Sequence, residues 1–253
     1  MSGARRSIPI LMYHSLDDSG SVVSVAPKAF AEQMNILAEA GLAGISLKQA
    51  VDYCEARGEW PRRSVVLTFD DGFANLHEHA AAPLTSHGYS ATVFLISGHM
   101  GRTNDWAPPP PGLGAKPILS WTQAKALADA GIELGAHTKT HPDLRRLTNE
   151  QLKEELDGSR RELEDRLGQG VESFAYPFGL LNEAGADTAG RVFRASCTTV
   201  LRRASGEALN RLPRVDVFYF REPARFRALV AGGQEGYLAV RRWGRSVRSL
   251  LVG

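Results

Sequence analysis

Apolar residues along the chain fall into short unbroken runs separated by longer stretches in which they recur every three or four positions. The runs over 8–13 (IPILMY), 64–69 (SVVLTF), 91–96 (ATVFLI) and 132–136 (IELGA) have the length and branched content of strands. Three more runs follow over 173–176, 195–200 and 212–217. The 64–69 run does not alternate with polar residues, which is the pattern of a strand covered on both faces. Helical spacing covers 30–40, closing on Gly41 as a stop signal, and then 47–57, 75–86, 122–130 and 183–193. A longer helix over 148–167 opens on Thr148 with Gln151 three positions on, the pattern of a capping box.

Strand and helix therefore alternate, which implies parallel pairing through right-handed crossovers. About seven strands in one domain favour a barrel, although periodicity alone leaves a doubly wound sheet open. The stretch 99–119, with four consecutive prolines at 108–111, is too long for an ordinary connection and reads as a lid or a disordered loop. The chain has 253 residues, 43% hydrophobic and 23% charged, as expected of one globular barrel. A net charge of +2 argues against a nucleic-acid partner. Two cysteines, Cys54 and Cys197, are too few for a disulfide framework and read as buried small residues. No run approaches a membrane span, and the start lacks the apolar core of a secretory signal, so the expected location is cytoplasmic.

Charge is not spread evenly. Residues 221–253 hold seven arginines against Glu222 and Glu235, a net of +5, which leaves +2 − 5 = −3 for residues 1–220. On a helical wheel Tyr237, Val240, Trp243, Val247, Leu250 and Leu251 span about 140°, with Arg241, Arg242, Arg245 and Arg248 in the neighbouring sector. This basic amphipathic tail, 221–253, is expected either to pack on a 1–220 domain with its arginines in water or to make peripheral contact with a membrane.

Four polar clusters close predicted strands: Tyr13-His14, Asp70-Asp71-Gly72, His137-Thr138-Lys139-Thr140-His141 and Tyr176-Pro177-Phe178-Gly179. In parallel βα folds the loops after the strands share one rim, where functional groups gather. His137 and His141 can reach one ion whether the segment is helix or loop, and with a carboxylate they form a donor set that suits zinc. Asp70 and Asp71 are adjacent, so their side chains diverge, one toward a metal and the other toward an attacking water. Asp-Asp-Gly is also good turn chemistry. Of the remaining histidines, His77 and His79 read as solvent-exposed, His87 ends a helix, and His99 opens the long loop. Trp106 and Trp121 border that loop, where either could stack on a sugar ring.

TFDDG (68–72), HTKTH (137–141) and FAYPFG (174–179) resemble the motifs of the polysaccharide deacetylases of carbohydrate esterase family 4, with the NodB-like fold. The resemblance covers about residues 5–220 and implies an incomplete (β/α)7 barrel, a divalent metal and removal of acetyl groups from sugars. It assigns Asp70 as base, Asp71, His137 and His141 as metal ligands, and the Phe178 N–H to the oxyanion; Tyr176 of the third motif and Trp106 of the long loop are the candidate substrate contacts beside them. Zinc is the expected metal, with cobalt or nickel as alternatives. Two departures stand out. The arginine that usually opens the third motif is replaced by Ala175, and no histidine follows His141 to serve as the acid. Leu11-Met12-Tyr13-His14 resembles the poly-N-acetylglucosamine branch, which supplies that histidine early. His14 is then the implied acid and Arg214 the candidate for the missing arginine, against an ordinary surface charge. The implied activity is amide hydrolysis of an N-acetylated glycan. The alternatives are deacetylation or deformylation of a lipid-linked or small glycan at the cytoplasmic membrane face, and a weakly active carbohydrate-binding protein, which Ala175 favours.

Overall fold

Ten strands order the chain in the computed structural model, which describes residues 7–107 and 109–252, the last seven by backbone alone. They are β1 (Ile10–Tyr13), β2 (Ser15–Leu16), β3 (Ser24–Val25), β4 (Ala43–Ile45), β5 (Ser64–Phe69), β6 (Thr92–Leu95), β7 (Glu133–Ala136), β8 (Ser173–Ala175), β9 (Ala195–Leu201) and β10 (Leu212–Asp216). Seven of them, β5 to β10 and then β1, pair in parallel, and β1 closes on β5 through Ile10↔Val66 to Tyr13↔Phe69. The result is a seven-stave barrel-like sheet, one stave short of a (β/α)8 barrel. β2 and β3 form a separate two-strand sheet beside it.

All seven anticipated strands form. The eighth member of the sheet, β4, lies along the amino half of β5, at Ser64–Val66. It is only three residues long, and a side chain at Gly44 would meet Leu67 Cδ1 and Tyr89 Cγ at 2.8 Å. Helical segments occupy the connections, Pro27–Glu39 and Leu47–Arg57 among them. The single helix expected over 75–86 is two, Asn75–His79 and Ala81–Ser86, parted at Ala80. Pro83 explains the break, since it has no N–H for the carbonyl of residue 79. The capping box at Thr148 and Gln151 forms, but the helix it opens carries a π-turn over Glu154–Gly158 before Ser159–Leu167.

After β10 the chain forms two helices, Pro223–Val230 and Glu235–Val252. Phe226, Leu229 and Leu238 are buried in the main hydrophobic core. Where side chains are described, the second helix packs on the domain through Tyr237 and Leu238 while Arg241 and Arg242 are exposed, but part of its apolar arc does not turn inward. Arg241 lies over the Tyr219 and Tyr237 rings at 5.2 and 5.1 Å, and Arg245 reaches Asp216 at 3.4 Å. Val240 and Trp243 are instead 66% and 71% exposed. The domain offers this helix the Tyr219 ring and the Asp216 carboxylate, which attract guanidinium more strongly than they attract a valine. Val247, Arg248, Leu250 and Leu251 of the same wheel lie outside the described side chains. Among the described residues no helix is long and apolar enough to cross a membrane.

Candidate active site

β1, β5 and β7 deliver His14, Asp70, Asp71 and His137 to one rim because all three strands run the same way. The chain must turn sharply to present the side chains. Asp71, Thr138, His141 and Phe178 all have positive φ, from 57° to 70°. Four non-glycine residues in that region at one rim mark strain held by the surrounding structure. Glu155, on the π-turn, holds the histidine loop in place. Its carboxylate accepts from Lys139 N at 2.8 Å, Thr140 N at 2.9 Å and Thr140 Oγ1 at 2.6 Å. Inside the loop, His141 N donates to Thr138 Oγ1 at 2.9 Å. π-turns concentrate at functional sites, and here the extra residue per turn aims Glu155 at the loop.

Asp71 Oδ1 lies 3.3 Å from His137 Nε2 and 3.4 Å from His141 Nε2, and the two imidazole nitrogens are 3.2 Å apart. His137 Nδ1 sits 2.7 Å from Ala175 O, which takes its proton and leaves Nε2 as a lone pair facing the cluster. Three buried donors, all within 4.8 Å of one another, converge without enough protons to satisfy them, which is what a divalent cation requires. The fit is good. Burial pushes the His141 pKa down to about 3 and so favours a neutral ligand. Burial alone would raise Asp71, but the hydrogen bond with His137 and the nearby imidazoles hold it well below the usual carboxylate range.

Asp70 lines the same cavity but has a different partner. Arg214 on β10 is fully buried and binds it through Nη1 and Nη2 at 2.6 and 2.7 Å, while also donating to Thr198 O and Thr68 Oγ1. The guanidinium is therefore no surface charge. Burial works to raise the Asp70 pKa, yet the Arg214 charge outweighs it and keeps the group ionised. His14 Nε2 is 3.8 Å from Asp70 Oδ2.

These groups open on a cavity of about 160 Å³ that also takes in Phe73, Trp106, Leu113 and Phe178. Phe178 stands edge-on to His141 at 4.5 Å, and the Trp106 ring lies 5.2 Å from His141. Tyr176 does not belong here. Its ring is fully buried and its hydroxyl donates to Asn210 O at 2.7 Å, so it is corrected to a core residue. Strand alternation would put Tyr176 and Phe178 on one face, but the turn over Pro177–Gly179, with Phe178 at φ of 57°, swings Phe178 out toward the rim. Trp121 also lies outside the cavity, under the Arg166 guanidinium. His99 is buried behind Trp106, with Nε2 3.1 Å from Asp105. His77 and His79 are half-buried rather than exposed, as is Cys54, while Cys197 is buried with its thiol pushed up to about 12. Glu155 and Thr138 had been overlooked, because only the π-turn and the left-handed loop give them a role.

A family model described as polysaccharide deacetylase matches residues 57–191. YxkH of Bacillus subtilis, whose name assigns it to the polysaccharide deacetylases, is 31% identical over 176 residues, covering 70% of this chain and 58% of its own. A poly-beta-1,6-N-acetyl-D-glucosamine N-deacetylase of Staphylococcus aureus is 26% identical over 63% of this chain and 55% of its own. The chain thus spans little more than half the length of these relatives. Among solved structures, the Streptococcus pyogenes deacetylase PplD in complex with acetate superposes with a TM-score of 0.75 at 25% identity, covering 87% of this chain and 96% of that one.

Proposed function

The chain belongs to the polysaccharide deacetylase family, and from that premise we propose that it hydrolyses the acetamido group of an N-acetylated amino sugar, releasing acetate and a free amine. The observation that carries this reading is one rim holding two adjacent aspartates with separate partners, Arg214 for Asp70 and the histidine pair for Asp71. Asp71, His137 and His141 are the residues that would hold a divalent metal, for which zinc suits the donor set best. When bound, it supplies Lewis-acid polarisation of the acyl oxygen and acidifies water.

Asp70, ionised and pointing at the same cavity, accepts the proton of the attacking water. Arg214 keeps it ionised and limits its rotation. The Phe178 N–H donates to the oxyanion, an electrostatic contribution that is often the largest in such reactions, and the φ of 57° at that turn supports this role. His14, across from Asp70, protonates the departing nitrogen, which an amide needs because an unprotonated amine leaves poorly. Trp106 and Phe178 supply the apolar walls on which a sugar ring can rest.

The test is acetate release from N-acetylglucosamine oligomers, polymer and lipid-linked N-acetyl sugars, before and after chelation and with zinc, cobalt or nickel restored. Equal yields of acetate and amine, lost on chelation and regained with metal, are expected. No acetate from any of these substrates in metal-restored protein overturns the proposal.

A further inference from the structure

We infer that the Glu235–Val252 helix docks this chain on an anionic lipid bilayer, an interaction that does not depend on the hydrolysis proposed above. The helix is amphipathic, and it meets its own barrel through Tyr237 and Leu238 while a second apolar strip is left facing water. Arg241 and Arg245, four residues apart and so on one side, lie along the barrel surface, Arg241 over the Tyr219 ring and Arg245 near Asp216, with their guanidinium groups still partly in water. Val240 and Trp243, three apart on the opposite side, are 66% and 71% exposed, and Ala239 beside them is exposed too.

A tryptophan is costly to leave in water, and its amphipathic ring favours the boundary between headgroups and acyl chains. What surrounds it selects the partner. The segment 221–253 carries a net charge of +5, so a second copy of the helix would meet like charge, whereas an anionic surface meets complementary charge. A net-basic helix with an exposed aromatic and aliphatic strip has the features of one lying in the plane of a membrane interface.

The anchoring point gives the docking a direction. Arg245 contacts Asp216 at the carboxyl end of β10, whose register partner on β1 is Met12, two residues before His14. The helix therefore sits at the same rim as the cavity, and a docked chain presents that rim toward the bilayer.

Co-sedimentation of the full chain with phosphatidylcholine vesicles, with and without phosphatidylglycerol, tests this. Binding should need the anionic lipid and weaken in high salt. Trp243→Ala should lower the partition coefficient by about tenfold, from the area it no longer buries, while acetate release from a soluble substrate stays unchanged. Because Trp243 is exposed, its replacement should leave the core and the far-UV circular dichroism intact. Equal binding to neutral vesicles, equal binding by Trp243→Ala, or a dimer in sedimentation velocity that Trp243→Ala abolishes would each overturn the inference.

Discussion

Replacing Arg214 by methionine separates the ionisation of Asp70 from its position. The guanidinium and carboxylate make two parallel bonds of 2.6 and 2.7 Å with 0% and 2% of each residue exposed. Charge-assisted bonds contribute roughly 1.5–3 kcal/mol each, but here both ions have also lost their hydration, so the sum overstates the net. Removing one partner strands the other, at a cost of about 3–5 kcal/mol. Arg214→Met should therefore destabilise the fold by that amount in urea titrations at constant m-value. Asp70→Leu strands the arginine and should cost a similar amount. The double variant removes both charges and should cost at least about 2 kcal/mol less than the sum of the singles. Additive singles would refute the coupling. Activity gives a second readout. Without Arg214, burial of Asp70 is opposed only by His137 and His14, so its pKa rises and the acid limb of kcat/KM should move to higher pH. Arg214→Lys keeps the charge but loses the fork, and its limb should fall between the two. An acid limb that does not move in Arg214→Met would show that the base does not rely on this arginine.

Three further outcomes follow from the same geometry. His14→Ala should bind metal in unchanged stoichiometry by elemental analysis while kcat falls about 10²–10⁴-fold; near-normal turnover removes it as the acid. Because the folded pKa of Asp70 lies below its ordinary 3.8, the stabilisation from its ionised form is complete above roughly pH 4 and lost as pH falls through the folded value. The stability gap between wild type and Asp70→Asn, measured by denaturant titration, should accordingly narrow only at acid pH. Gly179 has φ of 70°, and an added Cβ would lie 2.0 Å from Thr199 Oγ1, so Gly179→Ala must displace the Phe178 turn. Its expected effect is a loss of about 1–2 kcal/mol with a lower kcat, and wild-type stability would argue against a rigid turn.

How far the molecule is legible from its residues depends on whether a feature is local. The barrel strands are, since a run such as 64–69 carries length, branching and burial in six consecutive residues. β4 is not, because three residues with a glycine at the centre look like any loop, and only the amino half of β5 beside them makes a strand. The metal-ligand candidates are legible for a related reason. Asp71 and His137 come two residues and one residue after a strand, and parallel strands bring their ends together whatever the details of pairing. Tyr176 follows a strand too, yet its ring points into the core, so the rule finds the rim without saying which side chains face it.

Arg214 and the tail show what a single segment cannot contain. Leu212-Pro213-Arg214-Val215 carries nothing that distinguishes a buried arginine from a surface one. The difference is Asp70, 144 residues away, reached only because β10 pairs with β1 and β1 with β5. The pattern of the C-terminal helix likewise defines two faces but not which of them meets the barrel. That choice belongs to Asp216 and Tyr219, which supply a carboxylate and a ring where an aliphatic groove would have drawn in Val240 and Trp243. A surface of that kind competes for guanidinium groups and leaves hydrocarbon in water. Orientation of an amphipathic helix is thus a property of the surface beneath it. If that surface were made apolar, for example by Asp216→Leu with Tyr219→Leu, the same helix would be expected to turn over and bury its tryptophan.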